Sequence, residues 1–149
     1  MFSRFRLIMM KKIEHQINIK GEIERVYFAI STAKGFASWW TPHVELDESS
    51  SIISFGFNGG EIVMRMKMVE MKTNESVHLV CEDGPEEWLN TYLHFQMLEK
   101  QPDFFQLNFN HGGWEKDVPN FTRCNTDWGR LMYSLKDFVE ENSSTPFMR

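Results

Sequence analysis

Among the 5 histidines, 2 cysteines and 5 tryptophans of this chain, the residue types suit several chemistries but the spacings suit few. His111 ends a hydrophobic segment just before Gly112-Gly113-Trp114, which would leave an imidazole at the mouth of whatever that segment encloses. One such base, or Glu61, is enough to steer a reactive intermediate by general acid or base catalysis. The bland alternative is a histidine that stabilises a turn. Hydrolysis asks for more, a nucleophile beside a base and a donor pair for the oxyanion, and no Gly-x-Ser-x-Gly or comparable signature is present. His43, His94, His111 and Cys124 fall on segments that point in different directions and lack metal-motif spacing, so no metal, cofactor or catalytic residue is assigned.

The aromatic residues make the stronger signal. Thirteen Phe, 5 Trp and 3 Tyr amount to 14% of the chain, with 10 Met beside them. Large rings pack with gaps, and Met is the side chain that adapts to irregular space. Trp39, Trp88, Trp114 and Trp128 come from four separate segments. They, Phe55, Met64, Met66, Phe95, Phe109, His111, Met132 and Leu135 are the candidate ligand-binding residues, to be weighed against plain core. Trp40 is expected on the solvent side of Trp39 or at an interface.

The elements that must position these groups follow from periodicity. Cys124, Trp128, Leu131, Met132, Leu135, Phe138 and Val139 fall within an arc of about 120° at the helical step, which predicts one long two-faced helix at the end of the chain. Tyr133 points away from that arc. Upstream, Ile13, His15, Ile17 and Ile19 alternate with polar residues as in a half-buried strand. A short helix carrying Ile23, Val26, Tyr27 and Ile30 follows, and after Lys34-Gly35 comes a second, over 36–42, stopped by Pro42. Residues 51–111 read as an antiparallel meander: 52–57, the Asn58-Gly59-Gly60 turn, 61–71, 76–82, 88–98 and 104–110. In 88–98, Leu93, Phe95 and Met97 are placed inside, and Tyr92, His94 and Gln96 on the outer face. Such a sheet would wrap the last helix, and the space between them suits a ligand.

Composition bounds the rest. The 149 residues suit one domain, taken as 10–147 with 1–9 as a frayed extension. A net charge of −5 without a basic block excludes a nucleic-acid surface. The apolar run Leu7 to Met10 is too short for a signal core or a membrane span. Cys81 and Cys124 form no Cys-x-x-Cys pair, which points to a reducing cytoplasm.

The order of elements resembles the helix-grip fold of the SRPBCC (START/Bet v 1-like) superfamily, over residues 12–147. Four segments make it similar to the branch of heat-shock protein 90 ATPase activator homologues: Glu22-Ile23-Glu24-Arg25-Val26-Tyr27, Trp39-Trp40-Thr41-Pro42, His111-Gly112-Gly113-Trp114, and Cys124-Asn125-Thr126-Asp127-Trp128-Gly129 with Leu131, Leu135 and Lys136. The resemblance implies an α+β fold, with a curved antiparallel sheet around a long C-terminal helix and two short helices after the first strand. It also implies a hydrophobic cavity between helix and sheet, with access beside Trp39-Pro42 and Gly59-Gly60. Non-enzymatic binding of a small hydrophobic or amphipathic ligand is the leading expectation. A polyketide cyclase or dehydratase is the enzymatic alternative. In the eukaryotic activator a separate N-terminal domain makes the principal contacts, and this chain leaves no room for one, so a chaperone partner enters only through the alternative of a partner-binding module. The exposed sheet face keeps a homodimer open.

Overall fold

The computed structural model describes residues 11–115 and 118–148; the extension expected at 1–9 lies outside them. The alternating isoleucines form β1 (Lys11–Lys20), with Ile13, Ile17 and Ile19 buried and Glu14, Gln16 and Asn18 on the other face. Two short helices follow, α1 (Ile23–Ser31) and α2 (Ala33–Trp39). The second begins before Lys34-Gly35 rather than after it. Thr32 is extended and its hydroxyl oxygen accepts the Gly35 N–H, an N-cap that starts a new helix at once. Gly35 lies inside because α1 and α2 cross there, where a Cβ would stand 2.0 Å from the Phe28 carbonyl oxygen.

After Pro42 the chain enters β2 (His43–Asp47), an edge strand absent from the sequence reading, whose only inward residues, Val44 and Leu46, are half-buried. Then come β3 (Ile52–Phe57), β4 (Ile62–Lys72), β5 (Ser76–Asp83), β6 (Tyr92–Gln101) and β7 (Phe104–Trp114). All pairings are antiparallel in the order β1-β7-β6-β5-β4-β3-β2, a meander closed at one edge by the first strand. Residues 86–88 form a 3-10 turn that tucks Trp88 inward, so β6 starts later than expected. His111 does not end a strand; β7 continues through it to Trp114.

The last helix, α3 (Asn120–Glu141), presents Trp128, Leu131, Met132, Leu135, Phe138 and Val139 to the inner face of the sheet. Burying each is worth roughly 1.5 to 3 kcal/mol before the entropy of ordering is subtracted. Asn142 then takes a left-handed turn, its N–H returning to the Phe138 carbonyl and the Ser143 N–H to the Asp137 carbonyl. The arrangement is the helix-grip fold. On β6 the alternation holds as read: Leu93, Phe95 and Met97 are buried, while Tyr92, His94 and Gln96 face outward. No described helix is long and apolar enough to cross a membrane.

Candidate functional site

Between α3 and the sheet the predicted residues do come together, mostly as a ring-on-ring core. Trp40 packs 4.5 Å from Phe55 and 4.9 Å from Trp128, and Trp128 lies 4.2 Å from Phe109, which lies 4.9 Å from Phe95. Such pairs add about 0.5 to 1.5 kcal/mol each beyond area burial. Trp39, Met66, Met132 and Leu135 are also fully enclosed. The placement of Trp40 outside Trp39 is overturned: it is 1% exposed. Trp40 is the C-cap of α2, and the change of direction there stacks the two adjacent indoles at 6.1 Å with both rings inside.

His111 is likewise interior and not at a mouth. Its Nδ1 accepts the Trp128 indole N–H at 3.0 Å, which places the ring proton on Nε2, facing the Thr91 hydroxyl at 3.0 Å. Thr91 passes the chain on, donating to the Trp88 carbonyl at 2.6 Å. Trp88 and Trp114 pack on the imidazole at 4.4 and 4.5 Å. Burial pushes the His111 pKa down to about 3. With both nitrogens engaged and the ring fully buried, this histidine positions Trp88 and Trp128 and does not offer a base. Glu61, the other acid-base candidate, is exposed in the β3–β4 turn.

An open cleft lies one layer further out. A cleft of about 300 Å³ opens between α3, the β3–β4 hairpin and the 3-10 turn. Its apolar walls are Trp40, Phe57, Ile62, Met64, Pro85, Trp88, Trp128, Leu131 and Met148, and its rim carries Asn58, Asn120, Arg123, Cys124 and Asp127. Of the candidate residues, Met64, Trp88 and Trp128 line it, and the other nine sit behind in the core. A depression of about 530 Å³ beside Glu86, Glu87 and Glu115 is larger but lacks aromatic walls.

Backbone contacts hold the cleft's inner wall in place. The Trp39 carbonyl accepts the Ser134 hydroxyl at 2.7 Å and the Phe147 N–H at 3.1 Å, and the Trp40 carbonyl accepts the Met148 N–H at 2.8 Å. The segment after α3 therefore returns to the cleft. Burial pushes the Cys124 thiol up to about 11, so it is a neutral, unreactive group of the cleft lining. At the rim Asn120 donates to the Glu87 carboxylate. The Trp40 indole N–H finds no acceptor among the described residues. Leaving such a donor buried and unpaired costs about 1 to 3 kcal/mol. Among the described residues no group of three or more His, Cys, Asp or Glu side chains is arranged to hold a metal.

Eleven of the fourteen cleft residues, Trp40, Arg123, Asp127 and Met148 among them, are not candidates in the sequence reading. The available signal is the apolar arc of the last helix, on which Cys124, Trp128 and Leu131 follow one another at successive turns.

No protein-family model and no curated protein matches the chain. Among solved structures, it is similar to the Aha1 dimer from Colwellia psychrerythraea, with 32% identity over 88% of this chain and 97% of that one and a TM-score of 0.75. The protein XoxI from Bacillus cereus matches at 14% identity over 87% and 96% of the two chains, with a TM-score of 0.72. CalU16 from Micromonospora echinospora matches at 11% identity over 92% and 78%, with a TM-score of 0.70. At those identities the last two share the fold alone.

Proposed function

This chain belongs to the Aha1-like branch of the SRPBCC superfamily, and on that footing we propose that it binds a small, largely apolar molecule without transforming it. The observation that carries this reading is the cleft between α3 and the sheet, walled by Trp40, Trp88 and Trp128. Concave, mostly apolar sites with a few polar groups at the rim are the usual form of small-molecule sites, and about 300 Å³ is at the low end of their size. The occupant is compact, of about one or two rings, and not a long acyl chain, because the aromatic core behind Trp40 and Trp128 fills the depth a chain would need. Binding works by water exclusion, with the rings of the wall already fixed by the core. The two free thiols, Cys81 and Cys124, suit the cytoplasm.

Native mass spectrometry of freshly purified protein, followed by release and identification of what it carries, tests the reading. A one-to-one adduct that is lost from Cys124→Phe, which fills the cleft, supports it. A bare mass, together with no thermal stabilisation by any of a panel of compact aromatic molecules, would sink it.

A second reading concerns assembly. The similar Aha1 of Colwellia psychrerythraea is a dimer in solution, and we propose that this chain also pairs with a second copy. Light scattering across a concentration series reads this directly, and a monomer mass throughout would refute it.

A further inference from the structure

On the outer face of the sheet the charge pattern of the chain breaks. His78 on β5 stands opposite His94 on β6, and His94 opposite Asn110 on β7, so the three strands share one outward row. At the outward positions from Ser76 to Val80, from Tyr92 to Leu98 and from Gln106 to Gly112 there is no Asp, Glu, Lys or Arg. The chain is 25% charged, and surfaces ordinarily carry about one charged residue in three or four, so solvation alone does not account for the gap. Charge returns on the flanking strands, with Lys67, Glu70 and Lys72 on β4 and Lys12 and Glu14 on β1. A neutral centre that includes a tyrosine, inside a charged rim, is the anatomy of a protein interface.

The patch is also low and preset. The Tyr92 ring lies down over Gly112, where a Cβ would collide with it. The His78 and His94 rings stand 5.5 Å apart, with Tyr92 5.3 Å from His78. Gln16 and Gln106 both donate to the Asn108 side-chain oxygen at 3.0 Å, which ties three amides together across β1 and β7. Side chains held before contact lose less freedom on association. Other described surfaces suit a like copy less: the open edge strand β2 exposes Glu45 and Asp47, charges that oppose edge pairing, and α3 exposes Arg130, Asp137 and Glu141.

We infer that this neutral patch, centred on His94 and Gln96, is the surface through which a second copy of the chain binds, sheet face against sheet face. The inference rests on the pairing proposed above from the dimer of the similar Aha1, and adds where the copies meet. From β4 to β1 the face is five strands wide, about 24 Å, and the seven residues of 92–98 make it about 24 Å long. Each copy therefore covers roughly 600 Å², at the lower bound of specific interfaces, so the dimer dissociates on dilution.

Gln96→Glu tests the inference in the intact protein. The side chain is exposed in the single copy, so the nearly isosteric change keeps the fold and sets an unpaired carboxylate in the centre of the interface. Sedimentation velocity across a concentration series should show a wild-type dimer and a dissociation constant at least tenfold higher in Gln96→Glu. Tyr133→Glu, on the exposed side of α3, should leave it unchanged. Without any variant, dilution of ¹⁵N-labelled wild type through the same range should move the amide signals of 92–98 and 106–112 and leave those of α3 in place. A wild-type dimer that Gln96→Glu does not weaken, or whose dilution moves α3 in place of β6 and β7, overturns the inference and keeps the dimer. A monomer at every concentration removes the pairing and the inference with it.

Discussion

The indole N–H of Trp128 on α3 donates to Nδ1 of His111 on β7 across 3.0 Å, and so fixes the tautomer of a histidine with no exposed surface. Protonating His111 would set two N–H groups against each other in that contact. The depressed pKa, about 3 against an ordinary 6.5, gives a signed expectation. An unfolded chain takes up the proton near pH 6.5 and the folded chain does not, so stability is fully present above 6.5 and falls as pH drops towards 3, by up to about tenfold in the folding equilibrium per pH unit. His94 shifts in the same direction, through partial burial and then the neighbouring His78. Urea titrations of wild type and His111→Phe between pH 7 and 5 separate the two. The variant should lose part of the slope, and identical slopes would refute a neutral buried His111.

The same contact predicts non-additivity. His111→Phe keeps a ring but strands the Trp128 N–H, at a cost of about 1 to 3 kcal/mol, and Trp128→Phe strands the histidine nitrogen similarly. The double variant should cost less than the sum of the two by about 1 kcal/mol or more, since neither partner is left to strand. Chemical denaturation of the four proteins completes the cycle, and simple additivity would mean that the bond contributes nothing of its own.

How far the sequence foretold this can be judged from such residues. Ile13, Ile17 and Ile19, the α3 arc, and the inner and outer sets of β6 were legible because each repeats with the period of its element. Trp40 was not, because two adjacent side chains in a regular element diverge, and only the C-cap turn of α2 brings both indoles inside. The β2 strand has just two half-buried residues with which to signal alternation. The return of Phe147 and Met148 is made by backbone N–H groups, which leave no side-chain pattern. The cleft lies between elements, so no single segment encodes it.

Gly35 is where α1 and α2 meet. Alanine is the better helix former by about 1 kcal/mol, yet in Gly35→Ala the new Cβ would sit 2.0 Å from the Phe28 oxygen and 2.8 Å from the Ala29 Cα. Both are backbone atoms and cannot rotate away. The helices must part, and overpacking of this kind costs about 1 to 3 kcal/mol. A melting temperature lower by several degrees is expected from calorimetry, and an unchanged or higher one would show that the crossing has room to give.

Arg25 ties the first helix to the end of the last. Its Nε donates to the Val139 carbonyl at 2.9 Å, and one terminal nitrogen donates to the Phe138 carbonyl at 2.8 Å and to the Asn142 side-chain oxygen at 2.6 Å. The guanidinium also lies over the Phe138 ring at 4.8 Å. These acceptors are at the C-terminal end of α3, where the helix dipole favours a cation. Arg25→Met keeps most of the apolar stem and removes every donor. Because Asn142 is exposed and water can replace part of what is lost, the expected cost is about 2 kcal/mol and not the sum of three charged hydrogen bonds. Arg25→Lys retains the charge but not the planar fork, so it should fall between the two. Amide exchange locates the effect: protection should drop in the last turn of α3 and hold at Trp128 and Leu131. Uniform loss along α3, or an Arg25→Met protein as stable as wild type, would show that the clamp does not secure the helix end.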